Sequence, residues 1–330
     1  MKYEKKNGWT KVSEEEKKDI FKFCEGYKSF LNKGKTEREC INYAIIKAEA
    51  NGFKNLNDVN ILKPGDKVYA VNKNKSILLA VIGKKSMAEG VHMVGAHVDC
   101  PRIDLKQNPL YEDGEVAYFK THYYGGIKKY QWNAIPLALH GVICKSDGTQ
   151  IGIAIGDEGD DVTFTITDLL PHLGGEQMNK PAHSFIEGEN LNIVVGSIPL
   201  KDEEKEPIKT AILKLLNQKY GIVEEDFVSA EIEVVPAFKA KDVGFDRGLI
   251  GAYGQDDRVC AYTALEAILN VKSPEHTAVC YLVDKEEVGS MGNTGAKSHF
   301  YEDTIAEMIA KSEDYSDLLV RRCMQNSKCL

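Results

Sequence analysis

Three short stretches place acidic and imidazole side chains where regular structure gives way to a turn: "VGAHVDCP" (94–101), "YGQDDRV" (253–259) and "LVDKEEVGSMG" (282–292). In the first, His97 and Asp99 are two apart on an extended chain and face the same side, so one can bind a metal while the other supports it. His-x-Asp alone is a weak signal, more often the pattern of a structural or surface histidine, since it is short and common. In the second, Asp256 and Asp257 stand before a helix, where an acid contributes about 0.5 to 2 kcal/mol by capping and by the helix dipole. Capping accounts for one aspartate, but not for both beside Gly251 and Gly254, which let backbone approach closely. In the third, Glu286 and Glu287 follow an apolar run. Charge runs are commonly solvated loops, but in open α/β sheets the crevice at the carboxyl ends of strands is where function sits. Convergence of His97, Asp256 and Glu287 there would give one imidazole and two carboxylates, a set suited to zinc, cobalt or manganese. A spare carboxylate beside such a ligand is what a hydrolase uses to take a proton from an activated water.

These residues need a scaffold. Ser13-Glu14-Glu15-Glu16 is a capping box, followed by Ile20, Phe21, Phe23, Phe30 and Leu31 near helical spacing. A second box, Thr36-Glu37-Arg38-Glu39, opens the run to Ala50, which stops at Asn51-Gly52. Strand patterns follow at 67–71, 76–82 and 92–96. From about Asp104 the chain turns to short alternating runs such as 116–121 and 137–144, joined by Gly, Asp and Asn turns and by the charged connector 201–207. Past Ala240 the helix-strand alternation resumes, with a helix over 258–270 and a strand over 277–283. The simplest organisation is one α/β domain (1–103 and 240–330) interrupted by a mostly β domain (104–239). There is no internal repeat and no low-complexity tract.

With 330 residues, 43% hydrophobic and 28% charged, the composition is that of an ordinary globular protein long enough for two domains. A net charge of −8 argues against a nucleic-acid partner. No apolar run suggests a signal segment or membrane span, and the eight cysteines are scattered singly, so a cytoplasmic protein with reduced thiols is expected.

The motifs "GAHVDCPR", "GQDDRVCAYTAL" and "DKEEVGSMGNTGA", in this order and with a domain-sized gap after the first, resemble the M18 family of metalloaminopeptidases, the aspartyl aminopeptidases. The likeness extends over 51–83 and, more loosely, over "LLPHLGGEQMN" (169–179), and so covers most of the chain. It implies a zinc-exopeptidase-like α/β/α catalytic domain carrying an inserted dimerisation domain, peptide substrates, and self-association to dimers and dodecamers. It also implies two divalent ions, zinc first, with cobalt or manganese as alternatives. By the resemblance His97 binds one ion, Asp256 bridges both, and Glu287 binds the second; Asp99 orients His97, and Glu286 is the general base.

Two departures stand out. The stretch Tyr124 to Ile135, "YGGIKKYQWNAI", keeps Tyr-Gly-Gly and Trp132 but has Tyr130 and Ile135 where the family carries histidine and arginine. A neutral or broader preference is therefore expected as readily as an acidic one. Family members also continue beyond the point where this chain stops at Cys329-Leu330, supplying a further carboxylate and a distal histidine. No histidine follows His299, so the chain reads as C-terminally truncated, and weak metal binding with little peptidase activity is expected.

His122, His140, His172, His183 and His276 lack ligand-like neighbours and are expected in core or surface roles; Asp246 and Arg247 read as a surface pair; Ser290 lacks the Gly-x-Ser-x-Gly turn of a nucleophile elbow. The competing functions are a related di-metal deacylase or carboxypeptidase and a non-catalytic assembly subunit of the same fold.

Overall fold

The computed structural model describes residues 2–160 and 162–330. Its first sheet has the strand order Lys54–Asn55, Lys67–Asn72, Ser76–Val81, Ala278–Val283, His92–His97, Lys328–Cys329. All six residues of Ser76–Val81 are buried, because the strand is covered on both faces. Strand alternation divides it: Ile77, Leu79 and Val81 join a core with Phe30, Leu31, Ile41, Ala44, Leu265 and Ile268, while Leu78 and Ala80 join another with Ile305, Met308, Ile309 and Val320. Helices Glu14–Lys33, Glu37–Ala50 and Gln255–Asn270 therefore cover one face, and Phe300–Ser312 and Asp317–Asn326 the other. This is the expected α/β/α arrangement. Both capping boxes form, with Ser13 and Thr36 accepting from the amides of Glu16 and Glu39. The last two helices were not anticipated from the sequence.

The second sheet is antiparallel throughout, in the order Gln150–Ile155, Leu137–Cys144, Glu231–Pro236, Arg102–Asp113, Val116–Tyr124, Ile193–Gly196. Its core holds Ile103, Phe119, Trp132, Leu137, Ile193 and Val234. Against it lies a helix the sequence reading missed, Pro207–Tyr220, which packs Ile208, Ile212, Leu213 and Leu216 and has proline in its first turn. The apolar spacing and the proline were legible; the surrounding β pattern hid them.

Four residues separate His97, the end of one strand of the first sheet, from Arg102, the start of the second sheet. The chain returns through Glu231–Pro236 and the hairpin Lys241–Val243 and Leu249–Gly251 into Gln255–Asn270. Both crossings between the sheets therefore run beside the three motif stretches. Among the described residues no helix is long and apolar enough to cross a membrane.

Candidate metal centre

The strands His92–His97 and Ala278–Val283 run parallel, with Val283 opposite His97 and the Val98 amide donating to the Val283 carbonyl at 2.9 Å. Two of the three motif stretches thus leave the sheet side by side at its carboxyl edge. The third reaches them through Arg258, a fully buried guanidinium donating to the carbonyls of Val98 (3.0 Å) and Lys35 (3.1 Å). Gly254, at φ +81°, precedes it, and a Cβ there would collide with Arg258 Nη1. Glycine is needed at 254 for both reasons.

Asp256 and Asp257 have non-helical backbone angles within the first turn of Gln255–Asn270, and the N-cap has no side-chain hydrogen bond. Neither aspartate is spent as the cap that the sequence allowed. The Asp256 carbonyl accepts from Cys100 Sγ at 2.8 Å, and its side chain, 88% exposed, points toward His97. His97 is buried; Nε2 lies 3.4 Å from Asp256 Oδ1 and 3.8 Å from Glu286 Oε2, while Nδ1 lies 3.0 Å from the Asp99 carbonyl and 3.3 Å from Asp99 Oδ1. Ligand atoms of His97, Asp256 and Glu287 all fall within 4.8 Å of one another.

Past Val283, the Asp284 carboxylate accepts from the Lys285 amide (2.8 Å) and the Thr294 hydroxyl (2.7 Å). Lys285, Gly289 and Ser290 have positive φ, and the Ser290 amide returns to the Lys285 carbonyl at 2.7 Å. This tight turn directs the amides of Glu286 and Glu287 onto Asp99, at 3.1 and 3.2 Å. Asp99, with no exposed surface, also accepts from the Tyr124 hydroxyl at 2.8 Å. Burial opposes its charge, but the hydrogen bonds from His97, Tyr124 and the two amides win and hold its pKa below the usual carboxylate value.

The electrostatics favour a cation. Burial pushes the Glu287 carboxyl up; His97 pulls it down, and the negative charges of Asp256, Asp99 and Glu286 add to the rise. For His97, burial opposes protonation but is outweighed by the hydrogen bond and charge of Asp99, and the imidazole is pushed up to about 9. With Nδ1 held by Asp99, Nε2 is the free ligand nitrogen, facing two further carboxylates. One imidazole and two carboxylates are a donor set that zinc accepts, with a coordination position left for water or substrate.

A second group of acids, Glu37, Glu231 and Glu233, is close-set too, but Arg102, Lys75 and Arg38 lie among them. These are ion pairs, with protein cations where a metal would sit. His140 is a core histidine, bonded to Glu39 and Asp157 at 2.8 and 3.2 Å. Arg247 pairs with Asp242, at 2.5 Å, rather than with Asp246, whose carboxylate instead accepts the Gly248 amide. Ile135 packs on the core of the second sheet, Trp132 meets Tyr253 edge-on at 6.4 Å, and Tyr130 is 44% exposed. Sequence reasoning missed Tyr124, Arg258 and Cys100 as site neighbours. Their adjacency to the motifs was the available signal, since Cys100 and Arg258 lie inside the quoted stretches.

The family model described as "Aminopeptidase I zinc metalloprotease (M18)" matches residues 30–330. The "Probable M18 family aminopeptidase 1" of Clostridium acetobutylicum is 51% identical over 332 residues, covering 99% of this chain and 71% of the relative. The crystal structure of an M18 family aminopeptidase from Thermotoga maritima superposes with a TM-score of 0.94 at 47% identity, covering 99% of this chain and 72% of the other. That of aminopeptidase I from Clostridium acetobutylicum superposes with a TM-score of 0.90 at 47% identity, covering 100% and 72%.

Proposed function

Because this chain belongs to the M18 family of zinc metalloaminopeptidases, we propose that it removes single residues from peptide N-termini at a two-ion centre built on His97, Asp256 and Glu287. In this reading His97 Nε2 would hold one ion and Glu287 the other, and Asp256 would serve as a ligand to both. The observation that carries it is the convergence of these three side chains, from stretches more than 150 residues apart in part, on atoms within 4.8 Å. When bound, the ions supply Lewis acidity, making the scissile carbonyl more electrophilic and the attacking water more acidic.

The protein groups do the rest. Asp99 fixes the tautomer and ring orientation of His97 through Nδ1 and sets the backbone of Glu286 and Glu287 through their amides. Glu286, whose side chain is 55% exposed and 3.8 Å from His97 Nε2, takes the proton of the attacking water and returns it to the leaving amine. The assignment of Glu286 as base and Glu287 as ligand is supported by position: Glu287 is the more buried of the two and lies among the other donors. Asp256 is 88% exposed, which leaves the donor set open to solvent on one side, so we expect the ions to be weakly held and exchangeable.

The same reading assigns self-association to residues 104–239, supported by Leu169, Leu170, Leu173 and Met178, each more than half exposed on one segment. Substrate preference is neutral or acidic, since Tyr130 and Ile135 replace the polar residues the resemblance would supply.

The test is incubation of the chain with zinc and a set of short peptides. Release of free N-terminal amino acids, lost in His97→Ala, supports the proposal. Release from the C-terminus or of an acyl group would instead mean a carboxypeptidase or deacylase. Large assemblies by light scattering without bound metal or turnover would mean a non-catalytic subunit.

A further inference from the structure

The inserted sheet does more than lie beside the metal centre, because one of its turns reaches into it. Tyr124 ends the strand Val116–Tyr124 and pairs across the ladder with Arg102, the first residue of the neighbouring strand. The Arg102 guanidinium lies over the Tyr124 ring, 3.9 Å from its centroid. Arg102 itself is 4% exposed and held by Asp104, Glu233 and Glu37. The ring is therefore clamped, and its hydroxyl donates to Asp99 Oδ2 at 2.8 Å. The next residue, Gly125, turns at φ +67° directly against Glu287: a Cβ on it would stand 3.2 Å from Glu287 Cβ and 3.5 Å from Pro101 Cγ. One two-residue turn thus touches both the residue that orients His97 and the side chain at the opposite side of the centre.

We infer that Tyr124 and Gly125 are positioning residues for the peptidase reaction, through which the inserted sheet sets the geometry of the metal centre. The inference rests on the proposed metal centre. Tyr124 supplies one of four donors to Asp99, the others being His97 Nδ1 and the amides of Glu286 and Glu287. Without it, Asp99 Oδ2 keeps only the Glu287 amide, and the carboxylate that faces His97 Nδ1 is held less firmly, by the two amides alone. Gly125 works by shape: the close approach of its backbone limits how far Glu287 can swing from Asp256.

The experiment measures zinc affinity of the whole chain by competition with a chromophoric chelator, alongside kcat and KM on a peptide substrate and the unfolding midpoint of the metal-free protein. Tyr124→Phe keeps the ring on Arg102 and loses only the hydroxyl. Its zinc affinity and kcat should each fall about tenfold, the lower end of the effect of losing a supporting hydrogen bond, with KM within about twofold. Gly125→Ala should lose at least as much zinc affinity. Tyr118→Phe, on the same strand but stacked on Tyr111, should match the unsubstituted chain in every readout.

Wild-type zinc affinity and kcat in both Tyr124→Phe and Gly125→Ala, with His97→Ala losing both, would overturn the inference and leave the metal centre standing. Losses that merely track a fall in the metal-free midpoint would also overturn it. Undiminished zinc affinity in His97→Ala would bring down the metal centre itself, and this inference with it.

Discussion

Substituting glutamine for Glu37 and for Glu233 should have very unequal consequences, although both acids are buried in the same charge network between the two sheets. Glu37, in the first turn of its helix and wholly buried, lies 2.8 Å from Lys75 Nζ and 3.5 Å from Arg102 Nη1. Glu233 lies 3.2 Å from Arg102 Nε, and Asp104 and Glu231 complete the acids, with Arg38 on Glu231. Three cations thus face four carboxylates, so one acid is better off neutral. Burial opposes the Glu37 charge, but Arg102 and Lys75 outweigh it and hold its pKa far below the ordinary value. Burial and then the charge of Glu37 raise Glu233 well above its own, against the pull of Arg102. Glu37→Gln strips the anion from between two buried cations, a loss of about 3 to 5 kcal/mol. With an unfolding entropy near 0.7 kcal/mol per kelvin for a chain of this size, the midpoint should fall by about 4 to 7 °C. Glu233→Gln replaces a protonated acid by a neutral isostere and should cost about 1 kcal/mol or less at pH 7. The pH dependence follows from linkage. Because the folded pKa of Glu233 is raised, its contribution is fully present below about pH 4.3, the unfolded value, and is lost as pH rises through the folded one. The glutamine has no proton to lose, so its deficit relative to the parent chain should shrink as pH rises. Calorimetric midpoints of the three proteins at pH 5.5, 7 and 8.5 decide the matter. A Glu233→Gln midpoint at pH 7 as low as that of Glu37→Gln would refute the reading of Glu233 as the protonated acid.

Other outcomes are expected at the centre and around it. Glu286→Gln should keep zinc affinity within about threefold while kcat falls by about 10² to 10⁴, as measured by chelator competition and turnover; a parallel loss of zinc would make Glu286 a ligand instead. Gly254→Ala combines a positive φ with a clash against Arg258 and should lower stability by about 1 to 3 kcal/mol, read from urea denaturation. Burial opposes charge on His140, but Asp157 and Glu39 push its pKa up to about 9, so its contribution is complete below about pH 6.5 and lost as pH rises through about 9. The loss is about 3 kcal/mol, and in His140→Gln the stability slope over that window should flatten by that amount. Dialysis against a chelator should abolish peptide hydrolysis, and added zinc should restore it; activity that survives chelation would argue against metal dependence.

Local chemistry made much of this protein legible from the chain alone. Capping boxes, apolar periods and turn residues act over a few residues, so the first two helices, the strands around His97 and Val283 and the site motifs could be read directly. Adjacency carried information too: Glu286 and Glu287 sit side by side past a strand end, where one can bind and the other accept a proton. The helix Pro207–Tyr220 was missed because its own pattern was weighed against a β-rich neighbourhood. What local patterns could not convey was which distant residues meet. Asp99 looked like a partner for His97, but its burial under Tyr124 and under two amides of the Glu286–Glu287 turn depends on the second sheet folding back across the first. Arg102 joins Glu37, Glu233 and Tyr124 in the same way, and Arg258 is buried against carbonyls from two other elements. Hydrogen bonds and ion pairs between residues far apart in sequence leave no periodicity to read, because their geometry exists only once both sheets have packed.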